Sequence, residues 1–500
     1  MHAACFQRQA AMLPGMSDSM QTDTIRTKVP ARLDRLPWSR WHWLVIIGLG
    51  TVWVLDGLEV TIVSAVAGRI TEPGSGLEFS ASQIGLAGAI YIAGAVTGAL
   101  FFGYLTDRYG RKKLFLITLA LYLGATTLTA FATDAWWFYL FRFLTGAGIG
   151  GEYAAINSAI DELMPARLRG RIALFINGSY WVGTGFGAGL AMVLLDTNIF
   201  PTDVGWRLAF GLGAVLGLAI LLVRRHVPES PRWLYIHGRA REAEELVSRI
   251  EKDIEHETGR PLGEPGPAIT IHQRRAIGFV EIASTVARLY PKRAFLCFSL
   301  FMGQAFLYNA VFFTYVLVLT TFYSVPSSAA PLYLIPFAFG NFLGPLLLGP
   351  LFDTLGRRRM IAGTYIVSGV LLAVTGYLFT NGVLTAVTQT AAWMVIFFFA
   401  SAGASAAYLT ASEIFPMEIR ALAIAFFFAI GTAAGGISGP LVFGNLIETA
   451  RAADVFLGYL IGAALMSAAG LVEILIGVDA EGKSLEDIAR PLTAAEGDIQ

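Results

Sequence analysis

The chain alternates between long apolar runs and short polar segments over almost its whole length. A membrane-spanning helix needs about 20 apolar residues. Twelve runs of that size occur, six on each side of a polar segment at 224–293. They lie near 43–68, 83–105, 114–132, 136–160, 172–194, 206–223, 294–320, 331–352, 360–379, 391–411, 421–446 and 454–477. The pattern predicts an all-α membrane protein with twelve transmembrane helices in two six-helix halves.

The same pattern divides the chain into parts. We expect an N-terminal tail over 1–40, a first half over 41–224, a central loop over 225–293, a second half over 294–478 and a C-terminal tail over 479–500. In the central loop, Gly238–Gly259 has Glu and Arg around sparse apolar positions, which predicts short amphipathic surface helices. The first 40 residues lack an apolar core of signal-peptide length, so we interpret them as a tail, with Met1, Met16 and Met20 as candidate start residues.

Composition and charge narrow the function classes. The chain has 500 residues, 55% of them hydrophobic and 14% charged, whereas soluble proteins are about a quarter charged. The formal net charge is zero, so no bulk attraction to nucleic acid is expected. The two cysteines give neither a disulfide framework nor a metal-ligand spacing, and no phosphate loop or catalytic nucleophile pattern occurs. We therefore expect no enzyme and no metal or cofactor.

Basic residues are concentrated in alternate loops of the chain. They crowd the N-terminal tail, the central loop and the loops near 108–113, 167–171 and 357–359, whereas the alternate loops are nearly free of them. Loops rich in Lys and Arg stay on the cytoplasmic side of a membrane. We therefore expect a multi-pass protein of the cell (inner or plasma) membrane with both termini in the cytoplasm.

A polar loop occurs once in each half. Gly103-Tyr-Leu-Thr-Asp-Arg-Tyr-Gly-Arg-Lys-Lys113 is repeated as Gly349-Pro-Leu-Phe-Asp-Thr-Leu-Gly-Arg-Arg-Arg359, at an offset of 349 − 103 = 246 residues. The first Gly is expected to let two helices approach closely, and the second to permit a tight turn. The Asp is placed where a helix N-terminus or a nearby Arg can neutralise it. The repeat indicates two related halves.

This repeated loop resembles the cytoplasmic loop signature of the major facilitator superfamily of secondary transporters. Further stretches extend the resemblance. Arg142-Phe-Leu-Thr-Gly-Ala-Gly-Ile-Gly-Gly-Glu152 is similar to the fourth-span signature of sugar porters and metabolite–proton symporters. Pro228-Glu-Ser-Pro-Arg-Trp-Leu234 is similar to a motif of sugar porters and their organic-ion transporter relatives. The resemblance implies that the two halves rock about a central site and expose it to each side in turn.

Charged residues at the cytoplasmic ends of the spans are predicted to latch one conformation. Glu162 and Arg169 are seven residues apart, as are Glu413 and Arg420 in the second half. Single surface ion pairs contribute only about 0–1 kcal/mol, so several must act together. The latch candidates are Gly103, Asp107, Arg108, Gly110, Arg111, Glu152, Glu162, Arg169, Asp353, Gly356, Arg357, Glu413 and Arg420.

Two acids lie inside the first predicted span. Asp56 and Glu59 are three residues apart and therefore share one face of a helix. A charge near mid-membrane costs about 2.5–3.5 kcal/mol on insertion scales, so such a group needs a cation, a wet cavity or a proton. Arg142 is the obvious partner. By resemblance to sugar porters, Glu59 takes the place of the protonating acid and Arg142 that of its partner. Proton coupling through Glu59 is the leading interpretation, and a permanent structural pair in a uniporter is the alternative.

Departures from the sugar porters bear on the substrate. Gln304 and Asn309 keep the seventh-span spacing, but Leu307 and Tyr308 replace the usual Gly-Ile, and the tenth span lacks the Pro-Trp pair. The stretch Asp56–Glu59 resembles the Asp-Gly-x-Asp signature of aromatic-acid–proton symporters, with Glu for the second Asp. Substrate contacts are expected near mid-membrane, between the halves. The candidates are Trp53, Tyr91, Asn177, Trp181, Gln304, Tyr308, Asn309, Tyr315 and Asn341.

The sequence thus predicts a secondary transporter of a small metabolite that acts as a monomer among membrane lipids. Proton-coupled symport of an organic or aromatic acid is the leading interpretation. A sugar or polyol proton symporter, or a uniporter, is the first alternative. A non-transporting membrane receptor built on the same fold is the second.

Overall fold

The computed structural model describes residues 24–164, 169–224, 239–266, 269–272, 288–415 and 420–480, together with residues 229, 231, 234 and 488. The statements below concern these residues. Almost all of them are helical, and the long helices fall into two groups of similar layout.

The first group follows a short strand and a short helix. These are β1 (Thr24–Thr27) and α1 (Val29–Asp34). The long helices of the first half are α2 (Arg40–Ile70), α3 (Ala81–Tyr109), α4 (Arg111–Thr129), α5 (Ala135–Leu163), α6 (Arg169–Leu194) and α7 (Thr202–Arg224).

The central loop and the second half complete the chain. The central loop contributes α8 (Ala240–Thr258) and β2 (Ile269–His272). The second half has α9 (Pro291–Tyr323), a 3₁₀ turn (Ala330–Tyr333), α10 (Leu334–Thr354), α11 (Arg357–Thr380), α12 (Ala386–Ile414), α13 (Arg420–Gly431), a π-helical turn (Thr432–Gly436), α14 (Ile437–Glu448) and α15 (Ala452–Ile476).

All the predicted spans correspond to observed helices. The eleventh runs through α13, the π-helical turn and α14 as one continuous segment. The largest difference in a boundary is at the start of α12, which begins at Ala386 rather than near 391. The helix α4 ends at Thr129 rather than near 132. There the chain turns, and Arg207 of α7 donates to the carbonyls of Ala130 (2.9 Å) and Ala132 (2.6 Å). In the described part of the chain, eight helices are long and apolar enough to cross a membrane.

The repeated loops adopt the same backbone conformation in both halves. Gly110 precedes α4 with φ +99°, and Gly356 precedes α11 with φ +100°. Side chains other than glycine rarely adopt such φ values, so the predicted turn role of this glycine is confirmed. Among the described residues, a Cβ added at Gly103 or Gly349 would meet nothing within 4 Å, so they do not show the close helix approach predicted at Gly103.

Close helix contacts occur instead in the interiors of the spans. A Cβ at Gly146 of α5 would lie 2.1 Å from the carbonyl oxygen of Tyr91 in α3. A Cβ at Gly57 of α2 would lie 2.0 Å from the carbonyl oxygen of Tyr180 in α6. Glycine lets helix backbones approach this closely in membrane bundles. The α3–α5 and α2–α6 pairs therefore form the rigid frame of the first half.

In the described part of the chain, the two halves meet mainly where α3 packs on α14, α2 on α9 and α6 on α10, and α3 also contacts α9 and α13. We call the end of the bundle that carries the loops 71–80 and 449–451 the far end, and the opposite end, next to α1 and α8, the terminal end. At the far end, Glu448 of α14 accepts hydrogen bonds from the backbone N–H of Ser82 (2.8 Å) and from the Ser80 hydroxyl (3.0 Å). Ser327 of the second half also donates to Glu72 of the first. The far end is therefore closed.

A small domain lies at the terminal end and is formed by the N-terminal tail and the central loop, which were expected to be separate parts of the chain. Strand β1 from the N-terminal tail pairs antiparallel with β2 from the central loop, and α1 packs on α8 through a buried apolar cluster. Glu257 of α8 accepts from the backbone N–H of Arg40, the first residue of α2, at 3.0 Å. We call β1, α1, α8 and β2 the terminal domain. The tail from residue 24 onward is thus part of a folded unit.

Candidate functional site

A fully buried ion pair lies in the middle of the first half. The Nη1 of Arg142 in α5 donates to Oε1 of Glu59 in α2 at 2.6 Å, and both side chains are excluded from solvent. The Nε and Nη2 of Arg142 have no hydrogen-bond acceptor among the described residues. The pairing predicted from the sequence is present, and the guanidinium retains unused donors.

Asp56 lies one helical turn before Glu59 and is also buried. Neither of its carboxyl oxygens has a hydrogen-bond partner among the described residues. The intervening Gly57 brings α2 against the backbone of α6, which holds this turn of the helix in place. Two carboxyl groups thus share a buried region with one guanidinium, and the second carboxyl can be accommodated there at low cost only with a proton.

Aromatic rings enclose the Arg142 guanidinium. Its Cζ lies 4.6 Å from the ring centroid of Tyr91 in α3 and 5.8 Å from that of Phe210 in α7. A cation over an aromatic face is attracted by the ring quadrupole, more strongly when water is excluded. The rings therefore contribute to holding the charge of Arg142 away from solvent.

A polar cluster in the second half joins three helices. The Tyr308 hydroxyl of α9 donates to Oδ1 of Asn341 in α10 at 2.8 Å. Asn341 donates in turn to the carbonyl of Phe337 at 3.0 Å, and Ser401 of α12 donates to the carbonyl of Asn341 at 2.8 Å. Tyr308 and Asn341 are therefore brought together, as members of one hydrogen-bonded cluster.

The two amides of α9 that the sequence marked as substrate contacts, Asn309 and Gln304, are not joined to this cluster by hydrogen bonds among the described residues. Asn309 donates from Nδ2 to the carbonyl of Ala305 at 2.8 Å, which is a contact within its own helix. A Cβ added at Gly436 would lie 3.1 Å from this nitrogen, so the amide faces the π-helical turn. Gln304 is mostly buried, and no hydrogen bond of its side chain occurs among the described residues. The side-chain amide of Gln304 can therefore donate and accept hydrogen bonds with a bound molecule.

Aromatic side chains meet across the halves. The Trp181 ring of α6 lies 6.1 Å from the Phe337 ring of α10. It also contacts the Tyr180 ring at 5.1 Å, and the Tyr180 ring lies 6.3 Å from that of Trp53 in α2. Trp53 and Trp181 therefore belong to one aromatic chain that reaches the second half.

Two substrate candidates stand apart from this arrangement. The Tyr315 hydroxyl is hydrogen-bonded to Thr390 of α12, and its ring stacks on Phe337 at 6.5 Å within the second half. Tyr315 is thus a core residue of the second half. The side chain of Asn177 lies outside the described part of the structure.

The latch candidates are described only in part. Arg357 of α11 pairs with Glu413 of α12 at 3.2 Å, within the second half. Glu152 of α5 is fully buried inside the first half rather than at its surface. Lying outside the described part of the structure are the side chains of Asp107, Arg108, Arg111, Glu162, Arg169, Asp353 and Arg420.

Sequence reasoning missed several residues that the structure places at these contacts. Glu229, in the motif after α7, accepts from the backbone N–H of Lys112 at 3.1 Å, at the start of α4. Within the membrane, Phe313 and Phe337 of the second half contact Tyr91 and Trp181 of the first. Their only signal in the sequence is an aromatic residue in an apolar run, which is shared by many lipid-facing positions.

Comparison with known proteins agrees with this geometry. Residues 40–491 match the sugar (and other) transporter family, and the chain belongs to that family. It is 28% identical to a niacin transporter of Acinetobacter baylyi over 462 residues, which cover 92% of this chain and 99% of the relative. It is 25% identical to a 4-hydroxybenzoate transporter of the same species over 421 residues, covering 83% and 88%.

The fold is shared with solved transporters. The crystal structure of a D-xylose–proton symporter superimposes with a TM-score of 0.68 at 18% identity, covering 89% of this chain and 100% of that chain. At this identity the likeness concerns the fold alone. The chain is therefore an integral multi-pass membrane transporter with the major facilitator fold, as the sequence predicted.

Proposed function

We propose that the protein is a proton-coupled symporter of a small organic acid, with an aromatic monocarboxylate as the leading substrate. The two halves expose the central site alternately to each side of the membrane. The proposal depends above all on one observation: Asp56, Glu59 and Arg142 put two carboxyl groups and one guanidinium into one buried site.

The charges of this site make it suited to exchange a proton. With Glu59 paired to Arg142, Asp56 completes a neutral site when it carries a proton. If Glu59 binds the proton instead, the carboxylate that Arg142 contacts at 2.6 Å becomes neutral. The guanidinium then needs another anion as its partner. A buried charge without a partner is costly. Proton loading and rearrangement of the site are therefore linked.

The leading substrate class is supported by the side chains between the halves and by the relatives. Trp181, Tyr180 and Phe337 offer flat apolar faces, and Gln304 offers a mostly buried amide without a hydrogen-bond partner among the described residues. Aromatic acids present both a ring and polar oxygens to such a site. Two relatives are a niacin transporter and a 4-hydroxybenzoate transporter, and both of these substrates are aromatic rings with a carboxylate.

The orientation follows from the basic loops. Lys112, Lys113 and Arg357–Arg359 lie at the terminal end, and such basic loops favour the cytoplasmic side. We therefore propose that this end and both chain termini face the cytoplasm, and that the closed far end faces outward. We further propose that one chain forms the transport unit, because each half supplies part of the central site.

Reconstituted vesicles test the coupling. Glu59→Gln should abolish accumulation of labelled niacin or 4-hydroxybenzoate driven by a pH gradient and retain counterflow exchange, because exchange needs no net proton movement. Glu245→Gln, at an exposed position of α8, is the matched control and should accumulate substrate normally. Full accumulation by Glu59→Gln would refute the coupling.

A thermal-shift screen tests the substrate class. Ligands that bind the folded protein raise its apparent stability. The panel contains niacin, 4-hydroxybenzoate, small aliphatic carboxylates, hexoses, pentoses and organic cations. Shifts with aromatic acids alone support the proposal. Shifts in melting temperature with sugars alone would contradict the proposal and support a sugar symporter instead. In that case the amides of Gln304 and Asn309 would be the first candidates for sugar contacts.

A further inference from the structure

Two helices of the first half touch the same point of the second half: α2, which carries Asp56 and Glu59, and α3, which packs against the Arg142 helix α5. The hydroxyl of Ser64, five residues after Glu59 on α2, donates to the backbone carbonyl of Phe312 in α9. The ring of Tyr91 on α3 lies 5.7 Å from the ring of Phe313, the next residue of α9. The Phe312-Phe313 pair is thus where the first half contacts the helix that carries Gln304, Tyr308 and Asn309.

The Tyr91 ring also contacts the guanidinium of Arg142. The Cζ of Arg142 lies 4.6 Å from the Tyr91 centroid, so the ring touches both a cation of the first half and Phe313 of the second. The sequence marked Tyr91 as a substrate contact. The structure places it, buried, in contact with both Arg142 and Phe313.

Backbone packing fixes this arrangement on both sides of α3. On the α5 side, a Cβ at Gly146 would lie 2.1 Å from the Tyr91 carbonyl oxygen, and Gly146 lies one turn after Arg142. On the α9 side, a Cβ at Gly88 would lie 3.1 Å from Cγ of Phe313. We therefore expect Tyr91 to move with Arg142, and a side chain at position 88 would have to displace the Phe313 ring by a few tenths of an ångström.

We propose that Tyr91 and Phe313 are positioning residues that link the charge state of the Glu59–Arg142 pair to the contact between the halves; the inference rests on the proposed function. With Glu59 ionised, Arg142 is held by the carboxylate over the Tyr91 ring. When Glu59 takes a proton, that hold is lost, and the guanidinium and the ring shift together. The Tyr91–Phe313 contact, which must separate before the far end opens, changes with them. Two sites are coupled when both bias one two-state element, and here that element is the interface of the halves.

The measurement is the proton-to-substrate ratio in vesicles, from pH-dye and labelled-substrate fluxes recorded together. Tyr91→Leu removes the ring, and the ratio should fall by about fivefold or more while counterflow exchange persists. Tyr91→Phe keeps the ring and should restore the wild-type ratio. A general structural defect would lower both fluxes together and leave their ratio unchanged.

Phe313→Leu tests the other side of the contact and keeps the inference falsifiable if Tyr91→Leu does not fold. It should lower the ratio in the same way. A wild-type ratio in Tyr91→Leu or in Phe313→Leu would overturn the link, and so would loss of the ratio in Tyr91→Phe. Absence of substrate-linked proton flux in the wild-type protein would overturn the proposed function itself, and that result is obtained before any variant is examined.

Discussion

At the scale of single residues, Asp56 and Glu59 are chemically similar but have different surroundings. Glu59 is held by Arg142 at 2.6 Å, whereas Asp56 has no hydrogen-bond partner among the described residues. The sequence predicted both acids and the partner. That Glu59 is the paired acid followed only from the resemblance to sugar porters, because the spacing alone does not show how α2 is rotated against α5.

This difference predicts unequal effects on stability. Glu59→Gln leaves the Arg142 charge buried without its carboxylate, and breaking a buried pair costs about 3–5 kcal/mol. Asp56→Asn has nearly the shape of the protonated acid and leaves the pair intact. We expect Glu59→Gln to lower the melting temperature in detergent clearly more than Asp56→Asn does. An equal or reversed order would contradict the assignment of the proton to Asp56 in this conformation.

Arg142 allows a second comparison at this scale. Arg142→Ala leaves two carboxyl groups without a cation, so both should remain protonated and uptake should lose its dependence on external pH. Arg142→Lys keeps a positive charge but not the planar group that covers the Tyr91 ring. We expect it to keep the pH dependence with a lower maximal rate. Uptake by Arg142→Ala that still follows pH would exclude Arg142 from coupling.

At the scale of helices, the first half is assembled by backbone contacts at glycines. A Cβ at Gly183 of α6 would lie 1.9 Å from the Val54 carbonyl oxygen of α2, whereas one at Gly185 would meet nothing within 4 Å. The sequence showed a glycine-rich helix. It could not show which glycines face α2, because in this helix the glycines lie on more than one face.

These two glycines provide a matched test. Gly183→Ala should lower the melting temperature and the yield of folded protein, since overpacking costs about 1–3 kcal/mol or more. Gly185→Ala should be neutral or raise the stability by about 0.5–1 kcal/mol, because alanine favours a helix. Both are measured by thermal unfolding in the same detergent. Equal tolerance of both substitutions would show that α2 and α6 do not pack as the structure has them.

The terminal domain adds an electrostatic contact between elements distant in the chain. Glu251 of α8 accepts from Arg32 of α1 (3.0 Å from Nε) and from Arg35. Burial alone would raise the pKa of the Glu251 carboxyl, but the hydrogen bonds from Arg32 and Arg35 outweigh it and lower the pKa. A carboxyl whose pKa is lower in the folded state stabilises that state above its unfolded pKa, which is about 4.3, and loses this effect as the pH falls through the folded pKa.

Docking of α1 on α8 should therefore be intact at neutral pH and weaken in acid. Glu251→Gln should increase the hydrogen exchange of residues 29–36 at neutral pH and should remove the additional increase below pH of about 4. Asp253→Asn, at an exposed position of the same helix, is the control and should exchange like the wild-type protein. Unchanged exchange in Glu251→Gln would show that the apolar cluster alone holds α1.

At the scale of the whole molecule, the architecture was predictable and the conformation was not. The apolar runs gave all the spans, and the loop repeated at Gly110 and Gly356 gave the relation between the halves, because both properties are local to the chain. The terminal domain was missed, since β1 and β2 are short and their pairing joins residues far apart in sequence. Closure of the far end was also missed, because Glu72 and Glu448 look like ordinary loop acids until their partners in the other half are known.

The closed far end gives the last prediction. If the halves rock, the contact between Ser82 of α3 and Glu448 of α14 must break in every transport cycle, because the two residues lie in different halves. In a background of Cys5→Ser and Cys297→Ala, Ser82→Cys with Glu448→Cys can be joined by a short methanethiosulfonate cross-linker. Uptake should stop on cross-linking and return with dithiothreitol, while either single variant should be unaffected by the reagent. Uptake that continued after complete cross-linking would mean that substrate passes without separation of α3 from α14, and alternating access by rocking of the halves would be wrong for this protein.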